Sequence, residues 1–169
     1  GKTVCQDRRK ISFNIVDSES RAIDLEITLI ASVDDLTLGD TKEGSLGIRM
    51  APSFRLKGKV AKGSALTSDG LAGKSVWGKR ASWISYWAPL KEEEIGISLF
   101  DHPSNPRHPT WWHARDYGLV AANPFGVSNF EGKPKGTGDM VLRKGEEITF
   151  RYRILFHVGN PVDSEVSQK

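Results

Sequence analysis

Hydrophobic and polar residues alternate one by one along most of this chain. In "KISFNIV" (10–16), Ile11, Phe13 and Ile15 stand on one side and Ser12 and Asn14 on the other, the period-2 pattern of a half-buried strand. "RAIDLEITLIAS" repeats it, with Ile23, Leu25, Ile27 and Leu29 against Asp24, Glu26 and Thr28. The polar linker 17–20 between them is a hairpin turn. "LGIRMAP" and "FRLKG" are short strands bounded by glycines and Pro52, and 59–74, rich in Gly, Ser, Ala and Lys, is an exposed loop. "SVWGKRASWISYWAPL" sets Trp83, Ser85 and Trp87 on one strand face and Ile84 and Tyr86 on the other. Large aromatics at this period most often fill a sandwich interior, which places Trp83 in the core. "EIGISLFD" is a further strand, and "EEITFRYRILFHVG" is the longest, with Ile148, Phe150, Tyr152, Ile154 and Phe156 on one face. No window keeps the i, i+3, i+4, i+7 apolar pattern beyond about two turns. Seventeen glycines and eight prolines between short alternating runs predict an all-β protein, an antiparallel β-sandwich forming a single domain over 1–169. The closing "DSEVSQK" reads as a frayed polar tail or the stub of a continuation.

Composition narrows the class. The 169 residues, 38% hydrophobic and 27% charged, suit a globular protein with a buried core. Asp24, Glu26, Arg151 and Arg153 interrupt the longest apolar stretches, so no run approaches the ~18 apolar residues of a membrane span. The 24 basic and 21 acidic residues nearly cancel, leaving a net charge of +3, and the basic residues are scattered. A nucleic-acid binder concentrates them on one face, so no nucleic-acid partner is expected. The single cysteine, Cys5, excludes an internal disulfide and a cysteine zinc cluster. The first residues are polar and charged and hold no apolar signal core.

Candidate chemistry concentrates in 100–126, "FDHPSNPRHPTWWHARDYGLVAANPFG". These 27 residues hold three of the four histidines, two of the five tryptophans and four prolines. Pro103, Pro106 and Pro109 fix φ and remove backbone donors, so this loop leaves the sheet ladder and stiffens. A stiff loop loses little entropy on binding and suits the display of Asp101, His102, Arg107, His108, His113, Arg115 and Asp116. A histidine beside a carboxylate is the usual proton-transfer pair, and His113 with Asp116, or His102 with Asp101, fits that part. Trp111, Trp112 and Tyr117 offer flat apolar faces, and the arginines and Asp101 offer directional hydrogen bonds. Sugar rings combine apolar C–H faces with polar rims, so the mixture suits a carbohydrate or another small polar ligand. Asn123 before Pro124 can lend its amide. Lys42, Glu43 and Arg49, in "DTKEGSLGIR", read as a solvated hairpin or as a second wall of the pocket. A third reading places His102, His108 and His113 with a carboxylate around a metal, although their spacing matches neither HxH nor HxxxH.

"TKEGSLGIRMAP", "GKSVWGKRASWISYW", the 100–126 segment and the closing "GEEITFRYRILFHVG" together resemble, in that order, DUF6807, a bacterial family also labelled PmoA-like. The likeness covers nearly the whole chain from about Arg8. It implies a β-rich protein, secreted or periplasmic, from bacteria that degrade polysaccharides, akin to sugar-handling double-sheet folds of the galactose-mutarotase kind. It also implies that this chain corresponds to the C-terminal part of a longer protein, with an N-terminal partner segment supplying the other wall of the pocket.

The combined expectation is a protein that binds a sugar or acts on it by His/Asp acid–base chemistry, without a cofactor. His113 would move a proton, Asp116 would orient it, and Arg115 would stabilise developing negative charge on oxygen. The rival is a non-catalytic carbohydrate- or protein-binding module, in which Trp111 and Trp112 would lie coplanar and exposed.

Overall fold

The computed structural model describes residues 3–169. Eleven strands are described: β1 (Gln6–Ile15), β2 (Ser20–Ile30), β3 (Leu36–Leu38), β4 (Leu46–Arg49), β5 (Ser64–Thr67), β6 (Trp83–Leu90), β7 (Glu93–Asp101), β8 (Trp111–Ala114), β9 (Leu119–Asn123), β10 (Met140–Leu142) and β11 (Glu147–Val158). One α-helix is described, α1 (Val127–Glu131). A six-stranded antiparallel sheet has the order β1-β2-β11-β7-β6-β5; a three-stranded sheet has the order β4-β9-β8; and β10 pairs with β3. The all-β sandwich is what the sequence pattern predicts.

The core lies between the large and the three-stranded sheets. Ile84 and Tyr86 of β6, Leu99 of β7 and Phe150, Tyr152 and Ile154 of β11 pack against Trp112, Ala114, Val120 and Ala122. Side chains such as Ile84, Leu99, Val120 and Phe150 each gain roughly 1.5–3 kcal/mol from leaving water when fully buried, and Trp112, Ile84 and Tyr86 are 0% exposed.

Several local expectations are corrected. "FRLKG" is no strand: Pro52 starts a 3-10 turn through Phe54, as a fixed φ at a helix start allows. The loop 59–74 contains β5, which extends the large sheet by pairing with β6. The irregular segment contains β8, all four of whose residues are buried, so no alternation marks it. β1 forms as expected, yet Ile11, Phe13 and Ile15 are 51%, 78% and 78% exposed, because no residue of β1 belongs to the core. The closing residues are not frayed. Val166 is buried against Ala22 and Leu155 on the outer face of the large sheet, and Lys169 Nζ reaches Asp17 Oδ2 at 2.9 Å. Among the described residues, no helix is long and apolar enough to cross a membrane.

Candidate functional site

The outer face of the large sheet carries rows of side chains across its strands. One row runs Ser12, Asp24, Arg153, Phe100, Trp83, from β1 to β6. A second runs Lys10, Glu26, Arg151. The closing residues cover the neighbouring part of this face through Val166 and touch the first row, where the Lys169 carbonyl accepts from Arg153 Nη1 at 2.6 Å. The two rows floor a cavity of about 920 Å³, lined also by His102, Pro103 and His108 of the loop after β7 and by Ser167 and Lys169 of the closing segment. That volume falls within the range of small-molecule sites. Trp83 therefore belongs to the cavity floor, not to the core. The period-2 pattern identifies its face correctly but cannot say which face of the sheet is buried.

Charges on the floor are paired. Arg153 grips Asp24 with two bonds, Nε to Oδ1 at 2.7 Å and Nη2 to Oδ2 at 2.9 Å, and this holds the Asp24 carboxyl below its ordinary range despite partial burial. Arg151 Nε meets Glu26 at 2.8 Å. Between these ion pairs and Trp83, Phe100 supplies apolar surface.

The loop 102–110 is shaped by Asn105, which is 5% exposed. Its amide takes the place of a strand residue beside β11: Oδ1 accepts from Arg151 N–H at 2.7 Å, and Nδ2 donates to the Arg151 carbonyl at 2.6 Å. Nδ2 also donates to Asp101 Oδ1 at 2.7 Å. Asp101, only 4% exposed, accepts two further bonds on Oδ2, from Thr110 N–H at 2.9 Å and from His108 Nδ1 at 2.8 Å. A buried carboxylate needs such partners. Here they fix it as the anchor of an imidazole.

The two cavity histidines have opposite hydrogen-bonding polarity. His108 donates from Nδ1 to Asp101, so in the neutral ring Nε2 is the acceptor. His102 Nδ1 accepts from Ser104 N–H at 3.1 Å and contacts Ser104 Oγ at 2.7 Å, so its proton sits on Nε2. In the neutral state, one ring can accept a proton at Nε2 and the other can donate a hydrogen bond from Nε2–H.

The remaining candidates lie elsewhere. His113 projects from the outer face of the three-stranded sheet, where Nδ1 donates to the Lys42 carbonyl at 2.6 Å. Asp116 lies in the turn after β8 and faces Lys74, with Nζ 3.9 Å from Oδ2. The His113–Asp116 hydrogen bond therefore does not form. Nor do His102 and Asp101 pair, because the chain folds back and brings His108 to Asp101 instead. Arg115 and Arg49 both approach the Tyr117 ring. Lys42 and Glu43 are exposed, in a segment whose backbone meets Asn123 and His113. Arg107 faces away from the cavity and donates to the carbonyls of Pro124, Gly138 and Asp139. Asn123 is fully buried; it caps Phe125 N–H and Gly126 N–H and donates to the Thr41 carbonyl. Trp112 is core and donates to the Ala81 carbonyl. Trp111, on the opposite face of β8, is 5% exposed and donates to Glu131. These two rings are neither coplanar nor exposed. Among the described residues, no three His, Cys, Asp or Glu side chains converge as metal ligands.

The model of a family of unknown function, DUF6807, matches residues 1–169, the whole chain. The protein belongs to the DUF6807 family. No curated protein and no solved structure matches it. For this DUF6807 member the chemistry must therefore be argued from the site itself. Sequence reasoning missed Asn105, Trp83, Phe100, Arg151 and Arg153 as parts of that site. The signal was present in the alternation: Asp24, Arg151, Arg153, Trp83 and Phe100 all occupy positions of one face.

Proposed function

We propose that the cavity on the large sheet binds a carbohydrate and acts on it by histidine acid–base chemistry. The observation that carries this reading is the His108–Asp101 hydrogen bond at 2.8 Å at the edge of a roomy cavity with an aromatic floor. Trp83 and Phe100 offer the flat apolar surface on which a pyranose ring lays its C–H face. Lys10, Arg151 and Ser12 offer donors to its hydroxyl rim. His108 Nε2 accepts a proton from the substrate, and Asp101 orients the ring and stabilises the imidazolium that forms. His102 Nε2–H donates to an oxygen that gains charge. The Arg151 guanidinium, held by Glu26, adds electrostatic stabilisation.

A test follows from dividing the two tasks. In a screen of oligosaccharides against the purified protein, His108→Ala should lower turnover by ~10²-fold or more with binding intact. Trp83→Ala should weaken binding by ~10-fold, the loss of one stacking contact of about 1.4 kcal/mol. If the wild type binds a sugar and turns none over, while only Trp83→Ala changes binding, the site is a binding cleft without catalysis. If neither variant differs from wild type, the cavity is not the sugar site.

A further inference from the structure

The opposite side of the sandwich holds a cluster that the cavity does not use. Arg49 of β4 pairs across β9 with Leu119, and Arg115 N–H donates to the Leu119 carbonyl at 2.7 Å. The row Arg49–Leu119–Arg115 thus crosses the outer face of the three-stranded sheet, beside the row of His113. Tyr117, in the turn between β8 and β9, receives both guanidinium groups, at 5.4 Å from Arg49 and 5.5 Å from Arg115. Among the described residues neither guanidinium has an ion-pair or hydrogen-bond partner. Arg115 also lines a pocket of about 170 Å³ with Lys74, Trp77 and Asp116. The one carboxylate there, Asp116, sits 3.9 Å from Lys74, and Glu131, elsewhere on this face, accepts from Trp111 Nε1.

Two arginines converging on one ring repel each other, and no carboxylate of the described chain neutralises them. Such an arrangement is favourable when an oxyanion arrives, because guanidinium forks bind carboxylate and sulfate groups bidentately. Tyr117 is 41% exposed and Trp77 36% exposed, so flat apolar surface flanks Arg115 on two sides. Trp77 is braced by Phe130, whose ring meets it edge-on at 5.7 Å. Charge alone suits any polyanion; aromatic faces beside the charge suit a pyranose that carries the anionic group.

We propose that the Arg49–Tyr117–Arg115 face, with Lys74 and Trp77, is a second binding site for an acidic saccharide bearing carboxylate or sulfate groups. It is separate from the cavity on the large sheet and stands whether or not that cavity is catalytic.

The test is affinity electrophoresis of the full chain through gels containing polygalacturonate, a sulfated galactan, a neutral glucan or poly-glutamate. The wild type should be retarded by the uronate or the sulfated polymer, and which of the two retards it names the oxyanion. Retardation should fall as salt is raised. Arg49→Ala with Arg115→Ala should weaken it ~10-fold or more, as loss of charge-assisted bonds does, while the paired lysine variants keep part of it. Trp77→Ala should weaken saccharide binding and leave poly-glutamate mobility unchanged. The proposal fails if no acidic saccharide retards the wild type, if the double alanine variant is retarded equally, or if poly-glutamate binds as tightly and Trp77→Ala has no effect. The last result would make this a face for acidic protein segments.

Discussion

At the scale of single residues, the site depends on which imidazole nitrogen each neighbour occupies. Asp101 is seven residues from His108 and one from His102, and adjacency in sequence favours the wrong partner. The prolines that mark the loop as irregular also turn it back on itself, so the more distant histidine arrives. Sequence therefore identified Asp101, His102 and His108 as candidates but not their pairing, and it gave the leading role to His113, whose Nδ1 is taken by the Lys42 carbonyl. Asp101→Asn tests the pairing. An amide keeps the shape but cannot stabilise an imidazolium, so turnover should drop ~10²-fold or more with sugar binding unchanged. Equal turnover in the two proteins would remove Asp101 from the chemistry.

At the scale of elements, the alternating runs delivered β1, β2, β6, β7 and β11, whose two faces differ in polarity, and the glycine-bounded "LGIRMAP" delivered β4. β8 escaped notice for the converse reason: buried throughout, it offers no period. Asn105 ties the loop before it to β11. Its amide bonds both Arg151 backbone groups and one oxygen of Asp101; the Arg151 carbonyl also accepts from His102 N–H at 3.3 Å, so Asn105→Ala strands two polar groups, Arg151 N–H and Asp101 Oδ1. Each unsatisfied group costs about 1–3 kcal/mol, partly relieved by entering water. The expected result is a stability loss of roughly 2–3 kcal/mol in urea unfolding, with loop amides exchanging faster than those of the sheet. A change below ~0.5 kcal/mol, the range of ordinary surface substitutions, would show that the prolines alone shape the loop.

At the scale of the whole molecule, the closing segment seals one half of the outer face and leaves the other half as the cavity. Its attachment runs through His157, which is 2% exposed and bridges Ser98 Oγ at 2.9 Å and Ser164 Oγ at 3.0 Å. Burial, with Lys169 nearby, holds its pKa below the ordinary 6.5, against the opposing effect of nearby backbone groups. The unfolded chain then binds the proton first as pH falls, so the stability held above pH 6.5 declines below it until the folded pKa is passed. His157→Gln should flatten that part of the stability–pH curve, measured by thermal unfolding across this range. An unchanged slope would assign the acid sensitivity to other groups. Sequence gave no hint of this seal, because the polar tail "DSEVSQK" hides one buried valine. Nor did it foresee the uncovered apolar stripe of Ile11, Phe13 and Ile15, since alternation shows that a strand has two unlike faces and not what lies against them.

The central claim is that sugar meets the His108–Asp101 side of the molecule. It is tested most directly by following the ring nitrogens of all four histidines by NMR while a neutral oligosaccharide is added. The account predicts that the Nε2 resonances of His108 and His102 shift with saturation, while those of His113 and His157 stay in place. Shifts confined to His113, or no shift at any ring under conditions where binding is detected by other means, would contradict it.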